Sequence, residues 1–271
     1  MPRISAGNLT IDYMESGEGM PVIFIPGITE FKDAFQFQLA GLQSRYRVIS
    51  FDLRQGLKRH SEYTLDLLVD DLHRFIQALS LSGAVICGHS FGGLIALQYA
   101  IRYPYMTKAL VLISAFAAPS DDASEKFLSS ISAISHPFHR SIGAKLKMHM
   151  TKLIAGGTPQ AIAMEYEVSA VRAIARQAEK TSRTTINQRL RIIQKTDLRP
   201  LLSAIQMPSL IVAGAKDRSY FLSCAQELYE NIPDASLEVL EGGGHFCFLT
   251  RHDQFNAAFD EFLNERLAEI S

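Results

Sequence analysis

The stretch Gly88-His-Ser-Phe-Gly92 carries a serine between two glycines, in a Gly-x-Ser-x-Gly pattern. A serine hydroxyl attacks a carbonyl carbon only when the backbone exposes it and a neighbouring base removes its proton. The pattern directly follows a short apolar segment, residues 84–87, and opens a segment of helical periodicity, as a nucleophile elbow does. Because the pattern alone is common by chance, this strand–turn–helix context carries the prediction that Ser90 is a nucleophile.

An acid and a base that could activate this serine follow later in the chain. Asp217 lies just after the apolar segment 209–213, and His245 lies just after the segment 236–240. Sites in open α/β sheets form beyond the carboxyl ends of the strands, and all three residues satisfy that rule. We therefore predict that His245 is the general base for Ser90 and that Asp217 orients it.

Two backbone amides are predicted to stabilise the oxyanion that such a serine generates. One is the amide of Phe91, the residue after the nucleophile. The other lies in the turn 26–29, which follows the first apolar segment, and because Pro26 has no N–H the predicted donor is Ile28. The residues predicted to contact substrate are Gly27, Thr29 and Phe246.

Short apolar segments alternate with segments of helical periodicity, which predicts a parallel sheet covered by helices on both faces. The predicted strands are residues 21–25, 46–51, 84–87, 109–113, 209–213 and 236–240. The predicted helices are residues 65–79, N-capped by Thr64, residues 94–103, and two that begin near Phe221 and Asp253. Only helical patterns occur between residues 118 and 198, so a helical insert interrupts one α/β domain.

Composition excludes several classes of protein. The 271 residues are 47% hydrophobic and 20% charged, which is too apolar for a disordered chain. The net charge of −1 argues against nucleic-acid binding, which requires a basic surface. No apolar run is long enough for a membrane span, and the N-terminus lacks the apolar core of a signal peptide. The three cysteines have no metal-ligand spacing, so we expect a reduced, cytoplasmic protein without a metal.

These features together resemble the α/β-hydrolase fold superfamily. The matching stretches are Pro26-Gly27, Phe51-Asp-Leu-Arg54, Gly88-His-Ser-Phe-Gly-Gly93, Gly214-x-x-Asp217 and Gly244-His245. The resemblance implies a mostly parallel, twisted eight-stranded sheet, with a core of residues 1–117 and 199–271 and a helical cap, residues 118–198, inserted after the sixth strand. It implies the triad Ser90, Asp217 and His245, oxyanion donors at Ile28 and Phe91, and no cofactor.

The chain departs from the family pattern in three respects. Pro26-Gly27 stands where members commonly have His-Gly, which removes the packing of that histidine but keeps the backbone donors. The loop after Arg54 reads Gln55-Gly-Leu-Lys-Arg-His60 where members often continue Gly-x-Gly-x-Ser, which affects the shape of the pocket entrance. A serine in place of an aspartate nucleophile disfavours the epoxide-hydrolase and haloalkane-dehalogenase branches, and the absence of tryptophan disfavours subfamilies whose chemistry relies on a pocket tryptophan.

The function predicted from the sequence is cleavage of a carboxylic ester or thioester, with a small to medium, largely apolar acyl group, through an acyl-enzyme. Two alternatives use the same triad on another bond: a carbon–carbon hydrolase and a cofactor-free perhydrolase. An alternative from another class is a ligand receptor that keeps a vestigial triad. The fold decides none of these, because one scaffold hosts many chemistries.

The predicted cap is basic. Residues 118–198 contain twelve Lys and Arg against seven Asp and Glu, and Arg54, Lys58 and Arg59 lie in the neighbouring loop. Such a surface could steer an anionic partner, either an acidic acyl-carrier protein or a small ester that bears a carboxylate. Ordinary solvated helix faces explain the same charges. Apart from such a carrier protein, the expected partner is a small-molecule ester substrate.

Overall fold

The computed structural model describes residues 2–119 and 180–267, in which eight strands form one sheet. The strands are β1 (Arg3–Ala6), β2 (Leu9–Ser16), β3 (Met20–Ile25), β4 (Tyr46–Phe51), β5 (Ala84–His89), β6 (Thr107–Ile113), β7 (Ser209–Gly214) and β8 (Ala235–Leu240). Their order in the sheet is β1-β2-β4-β3-β5-β6-β7-β8. Every neighbouring pair from β4 to β8 is parallel, so the predicted mostly parallel sheet is confirmed.

The first two strands were not predicted from the sequence. β1 and β2 form an antiparallel hairpin, and β2 adds to the edge of the sheet antiparallel to β4. Their side chains alternate between buried and solvent-facing, so they lack the continuous apolar run that marks a buried parallel strand. The hairpin makes β6 the sixth strand, which is the strand after which the insert was predicted.

Seven α-helices lie in the described residues, and we number them in chain order. They are α1 (Gln36–Leu42), α2 (Leu65–Ala78), α3 (Phe91–Arg102), α4 (Arg183–Lys195), α5 (Ser219–Asn231), α6 (Cys247–Thr250) and α7 (His252–Leu267). The Thr64 side chain accepts a hydrogen bond from Leu67 N, which confirms the predicted N-cap of α2. The helix after the serine motif was predicted to span residues 94–103. It begins three residues earlier, at Phe91, directly after Ser90.

Hydrophobic residues of the central strands pack on both faces of the sheet. In β3, Ile23 and Ile25 belong to one buried cluster and Val22 and Phe24 to the other, as the alternation of a strand requires. Apolar side chains of α2, α3 and α5 cover the first face. Those of α1, α6 and α7 cover the second. Helices on both faces hold the sheet rigid, and its carboxyl edge carries the loops described below.

The residues next to the two predicted boundaries of the cap lie close together. Leu198 N donates a hydrogen bond of 2.9 Å to Ala117 O, close to both boundaries predicted for the cap. Residues 120–179, most of the predicted cap, lie outside the described residues and contain seven Lys and Arg against six Asp and Glu. Most of the predicted excess of positive charge therefore belongs to residues 180–198, with five Lys and Arg against one Asp. Of the predicted cap the structure describes residues 118, 119 and 180–198, which include α4. None of the described helices combines the length and apolarity that crossing a membrane demands.

Candidate active site

Ser90 occupies the sharp turn between β5 and α3. Its backbone has φ 52° and ψ −114°, a region that residues with a side chain rarely adopt. The turn is held by hydrogen bonds from Ser90 N to Ile113 O at 2.9 Å and from Gly93 N to Ser90 O at 2.9 Å. Strained backbone of this kind persists where the surrounding structure enforces it, and it is concentrated at functional sites.

The glycines on either side of Ser90 allow this turn to pack tightly. A Cβ at Gly88 would lie 2.4 Å from Gly92 O, and one at Gly92 would lie 2.3 Å from Ile25 O. Both contacts are with backbone atoms, which cannot rotate away as a flexible side chain does. The tight backbone expected from the two glycines is therefore present, and α3 begins against the end of β3.

Asp217 and His245 meet across two adjacent loops. His245 Nδ1 lies 3.1 Å from Asp217 Oδ2, and each residue is only 9% exposed. The loop after β7 is tied to the loop after β8 by a hydrogen bond from Lys216 N to Gly243 O at 2.7 Å. When Nδ1–H donates to the carboxylate, Nε2 is left with a lone pair that can accept a proton.

The residue before Ser90 links the serine turn to the histidine loop. His89 Nε2 donates to the backbone oxygen of His245 at 2.9 Å, and the two imidazole rings lie 4.9 Å apart between centroids. The structure thus brings the Ser90 turn, His245 and Asp217 to one edge of the sheet, although they are far apart in sequence. The sequence analysis assigned no role to His89.

A buried carboxylate, Glu30, completes this network and was also missed. Glu30 Oε1 lies 2.8 Å from His89 Nδ1, and Glu30 Oε2 accepts a hydrogen bond of 3.0 Å from Gly27 N. Burial by itself would lower the pKa of His89, but the Glu30 carboxylate, together with the His245 backbone oxygen and the Asp217 charge, raises it above the usual 6.5. The imidazolium form, which donates from both ring nitrogens, is therefore favoured. Charged residues near a turn look solvent-exposed in a sequence, so no local pattern signals this pair.

The two predicted oxyanion donors are placed at the ends of β3 and β5. Gly27 N is already bonded to Glu30, which leaves Ile28 as the predicted donor in that turn. Among the described residues, neither Ile28 N nor Phe91 N has an acceptor. Phe91 is the first residue of α3, where amides point outward without an intrahelical partner and the helix dipole is positive.

The predicted substrate contacts differ in their exposure. Thr29 is partly exposed beside Ile28, whereas Gly27 is buried beneath Glu30. Phe246 is only 7% exposed, and its ring lies 5.5 Å from the His245 ring and 5.3 Å from the His89 ring. Most of this ring therefore packs in the core next to the imidazoles and offers a substrate little surface.

Helix α4 was not predicted to contribute to the site, yet it reaches the turn that contains Ile28. Arg189 on this helix is 1% exposed, and its Nη1 donates to Ile28 O at 2.7 Å. Phe221 of α5 was also missed as a neighbour of the site, and its ring lies 4.1 Å from that of His245. Across residues 2–119 and 180–267, no three His, Cys, Asp or Glu side chains group as metal ligands would.

Comparison with known proteins gives a match over most of the chain. The family model described as alpha/beta hydrolase fold matches residues 20–252, a range that contains Ser90, Asp217 and His245. The chain is 28% identical to the AB hydrolase superfamily protein YisY of Bacillus subtilis, over 95% of this chain and 96% of that protein.

Two further relatives differ in what they share with the chain. Polyketide synthase ThaQ of Burkholderia thailandensis is 28% identical over 96% of this chain, which spans only 12% of that protein's length. The crystal structure of the enol-lactonase from Burkholderia xenovorans LB400 matches with a TM-score of 0.81 at 21% identity, over 97% of this chain and 100% of that chain. A likeness at this level of identity concerns the fold.

Proposed function

The chain belongs to the alpha/beta hydrolase fold family, and we propose that it is a serine hydrolase of carboxylic esters or thioesters. The acyl group that we propose is small to medium and largely apolar. One observation carries the proposal: Ser90 sits at positive φ in a glycine-flanked turn, and the adjacent His89 is bonded to the backbone of His245, which pairs with Asp217. The proposed nucleophile, base and orienting acid lie on three loops at the carboxyl edge of the sheet.

In the proposed mechanism Ser90 Oγ attacks the ester carbonyl while His245 Nε2 takes the hydroxyl proton. Asp217 holds the imidazole in the tautomer with a proton on Nδ1 and stabilises the imidazolium that forms. The amides of Ile28 and Phe91 donate to the oxyanion of the tetrahedral intermediate. His245 then protonates the leaving oxygen or sulfur, which departs and leaves the acyl group on Ser90.

Water resolves the acyl-enzyme through the same groups. His245 Nε2 removes a proton from a water molecule that attacks the acyl carbonyl, and the same two amides hold the second oxyanion. Collapse of this intermediate breaks the bond to Ser90 Oγ, which recovers its proton from His245, and releases the carboxylic acid. The cycle needs one water for each bond cleaved and no cofactor.

The direct test is hydrolysis of p-nitrophenyl esters from acetate to decanoate, with the wild type beside Ser90→Ala. We expect kcat to fall on the order of 10⁶-fold in the variant, by analogy with triad knockouts in other serine hydrolases. Ser203→Ala is the matched control, since Ser203 is exposed in the short 3-10 helix Arg199–Ala204, and it should keep full activity. The chain length with the highest kcat/KM measures the size of the acyl pocket.

The outcome of this assay, followed by assays on other substrates, separates the alternatives. Most activity remaining in Ser90→Ala would refute the assignment of the nucleophile. If no ester is turned over in a Ser90-dependent way, the proposed ester hydrolase is wrong. Cleavage of a vinylogous diketone then identifies a carbon–carbon hydrolase, and peracid formation with peroxide identifies a perhydrolase. Ligand-induced stabilisation without turnover identifies a receptor.

A further inference from the structure

Helix α4 docks on the core through three buried polar side chains, one of which lies about one helical turn before the other two. Thr185, Gln188 and Arg189 lie on one face of the helix and are each 1% exposed or less. Thr185 Oγ1 accepts from Gly56 N at 2.8 Å. Gln188 accepts from Leu57 N at 3.0 Å and donates to Leu57 O at 2.7 Å. Two of the three therefore bind the loop after β4 and make no contact with the candidate active site.

Arg189 differs from its neighbours because it reaches the turn that holds a predicted oxyanion donor. Its three nitrogens donate to Ile28 O at 2.7 Å, to Tyr63 Oη at 3.2 Å and to Arg54 O at 3.1 Å. All three acceptors are neutral oxygens, and no carboxylate of the described residues pairs with this guanidinium. Taking such a charge out of water costs several kcal/mol, so three neutral contacts are a weak source of stability.

The contact with Ile28 means that the Gly27–Ile28 peptide is held by a hydrogen bond on each side. Glu30 Oε2 holds Gly27 N, immediately before the Gly27–Ile28 peptide, and Arg189 holds Ile28 O, immediately after it. The amide N–H of Ile28 lies between these two fixed points. A donor contributes most to catalysis when it points at the developing oxyanion before the reaction begins, so that nothing reorganises during it.

We propose that Arg189 is a positioning residue that orients the Ile28 amide for the oxyanion. This inference rests on the proposed function, in which Ile28 is a donor. Arg189 acts through the backbone of Ile28, because its side chain is committed to protein oxygens. On this proposal α4 holds the oxyanion turn through Arg189 itself, and not through the docking contacts of Thr185 and Gln188.

A positioning role predicts a particular kinetic effect. The amide of Ile28 meets negative charge mainly in the transition state, so losing its orientation should lower kcat and leave KM nearly unchanged. We expect Arg189→Met to lower kcat for p-nitrophenyl esters about 10²-fold, as removal of one oxyanion donor does, with KM within about threefold. Arg189→Lys should recover part of the loss, because an ammonium can still donate to Ile28 O.

Two variants of α4 serve as controls. One tests the loss of a positive charge, and the other tests the loss of hydrogen bonds that attach the helix to the core. Arg191→Met removes an exposed arginine two residues away and should change nothing. Gln188→Ala removes both hydrogen bonds to Leu57 while leaving the Ile28 contact intact. It should lower the melting temperature and keep kcat within about threefold of the wild type, since a lost buried hydrogen bond costs stability alone. Equal loss of kcat in Gln188→Ala and Arg189→Met would show that docking is the whole effect and would overturn the proposal.

Hydrogen exchange measures the same role without any substrate. Backbone amides of residues 27–31 should exchange faster in Arg189→Met than in the wild type, and Gln188→Ala should leave them unchanged. If the wild type hydrolyses esters but Arg189→Met keeps full kcat, the positioning role is wrong and the proposed function stands. If the wild type hydrolyses no ester, the proposed function fails and the exchange rates alone decide. Faster exchange confined to residues 27–31 supports the role, and unchanged exchange overturns it.

Discussion

His89 and Glu30 form a hydrogen-bonded pair, charged when His89 is protonated, and their side chains are only 0% and 3% exposed to water. The pair joins Gly27 of one loop to the backbone of His245 in another, so it fixes the predicted donor turn relative to the predicted base. Removing one partner of such a pair leaves a buried charge uncompensated, which is costly. The pair therefore contributes to stability and geometry at once.

The raised pKa of His89 gives this contribution a definite pH dependence. A group whose pKa is raised on folding adds stability below its unfolded pKa, near 6.5, and this stability is lost as pH rises through the folded pKa. We expect Glu30→Gln to lower the free energy of unfolding on the order of 3 kcal/mol at pH 6. The difference from the wild type should shrink as the pH is raised. Urea denaturation at several pH values measures it.

An exposed pair supplies the control. Arg59 and Glu62 lie 3.3 Å apart with side chains 80% and 54% exposed. Glu62→Gln should change the unfolding free energy by less than about 1 kcal/mol at every pH, because water screens such pairs. A Glu30→Gln effect that stays constant or grows with pH would show that the His89 imidazolium is not what the carboxylate stabilises.

At the scale of elements, the start of α3 lies against the end of β3 because Gly92 has no side chain. A Cβ there would meet Ile25 O at 2.3 Å and Pro26 O at 2.8 Å. We expect Gly92→Ala to cost about 1–3 kcal/mol of stability, as overpacking does, and to lower kcat because α3 shifts away from the turn 26–29. Thermal unfolding and ester hydrolysis measure the two effects.

Gly83 is the matched control for that prediction. It is also buried, but a Cβ there would first meet the end of the Lys108 side chain at 3.0 Å, which can rotate away. Gly83→Ala should keep wild-type activity and nearly wild-type stability. If Gly92→Ala behaves in the same way, the close packing of α3 on β3 is not needed for function.

The elements also show what could be predicted from the sequence and what could not. β3 and β5–β7 were predicted because parallel strands buried on both faces appear as continuous apolar runs. The hairpin of β1 and β2 was missed because its stability comes from pairing with β4, which no local pattern records. The serine turn was predicted because its glycines and its place after a strand are local features. Glu30 and Arg189 were missed because their burial depends on partners distant in the chain.

At the scale of the whole molecule, the three cysteines are distributed over the buried clusters on both faces of the sheet. Cys87 and Cys247 lie in the cluster covered by α1, α6 and α7, and Cys224 lies in the other. Burial raises the pKa of Cys247 to about 12 and that of Cys224 to about 11, and it also raises the pKa of Cys87. Thiolate, the reactive form, is therefore scarce at all three in the folded protein.

We expect iodoacetamide to alkylate Cys87 and Cys247 only as fast as the sheet opens. Their rates, measured by mass spectrometry at increasing urea concentrations, should agree with each other and rise with the fraction unfolded. Ser223→Cys, next to Cys224 but at an exposed position, provides a thiol that should react at once in the native protein. Rapid labelling of Cys87 without denaturant would contradict the burial described here.

The hydrogen bond between Leu198 N and Ala117 O has a consequence for how this architecture diversifies. A segment whose two ends lie this close together can change length at little entropic cost, about 0.6 kcal/mol for each doubling. Evolution can thus replace the intervening stretch and acquire a new specificity while the sheet is preserved. If Arg189 orients Ile28, each replacement segment must again supply a hydrogen-bond donor to the Ile28 carbonyl. Otherwise the oxyanion turn must be stabilised by other residues.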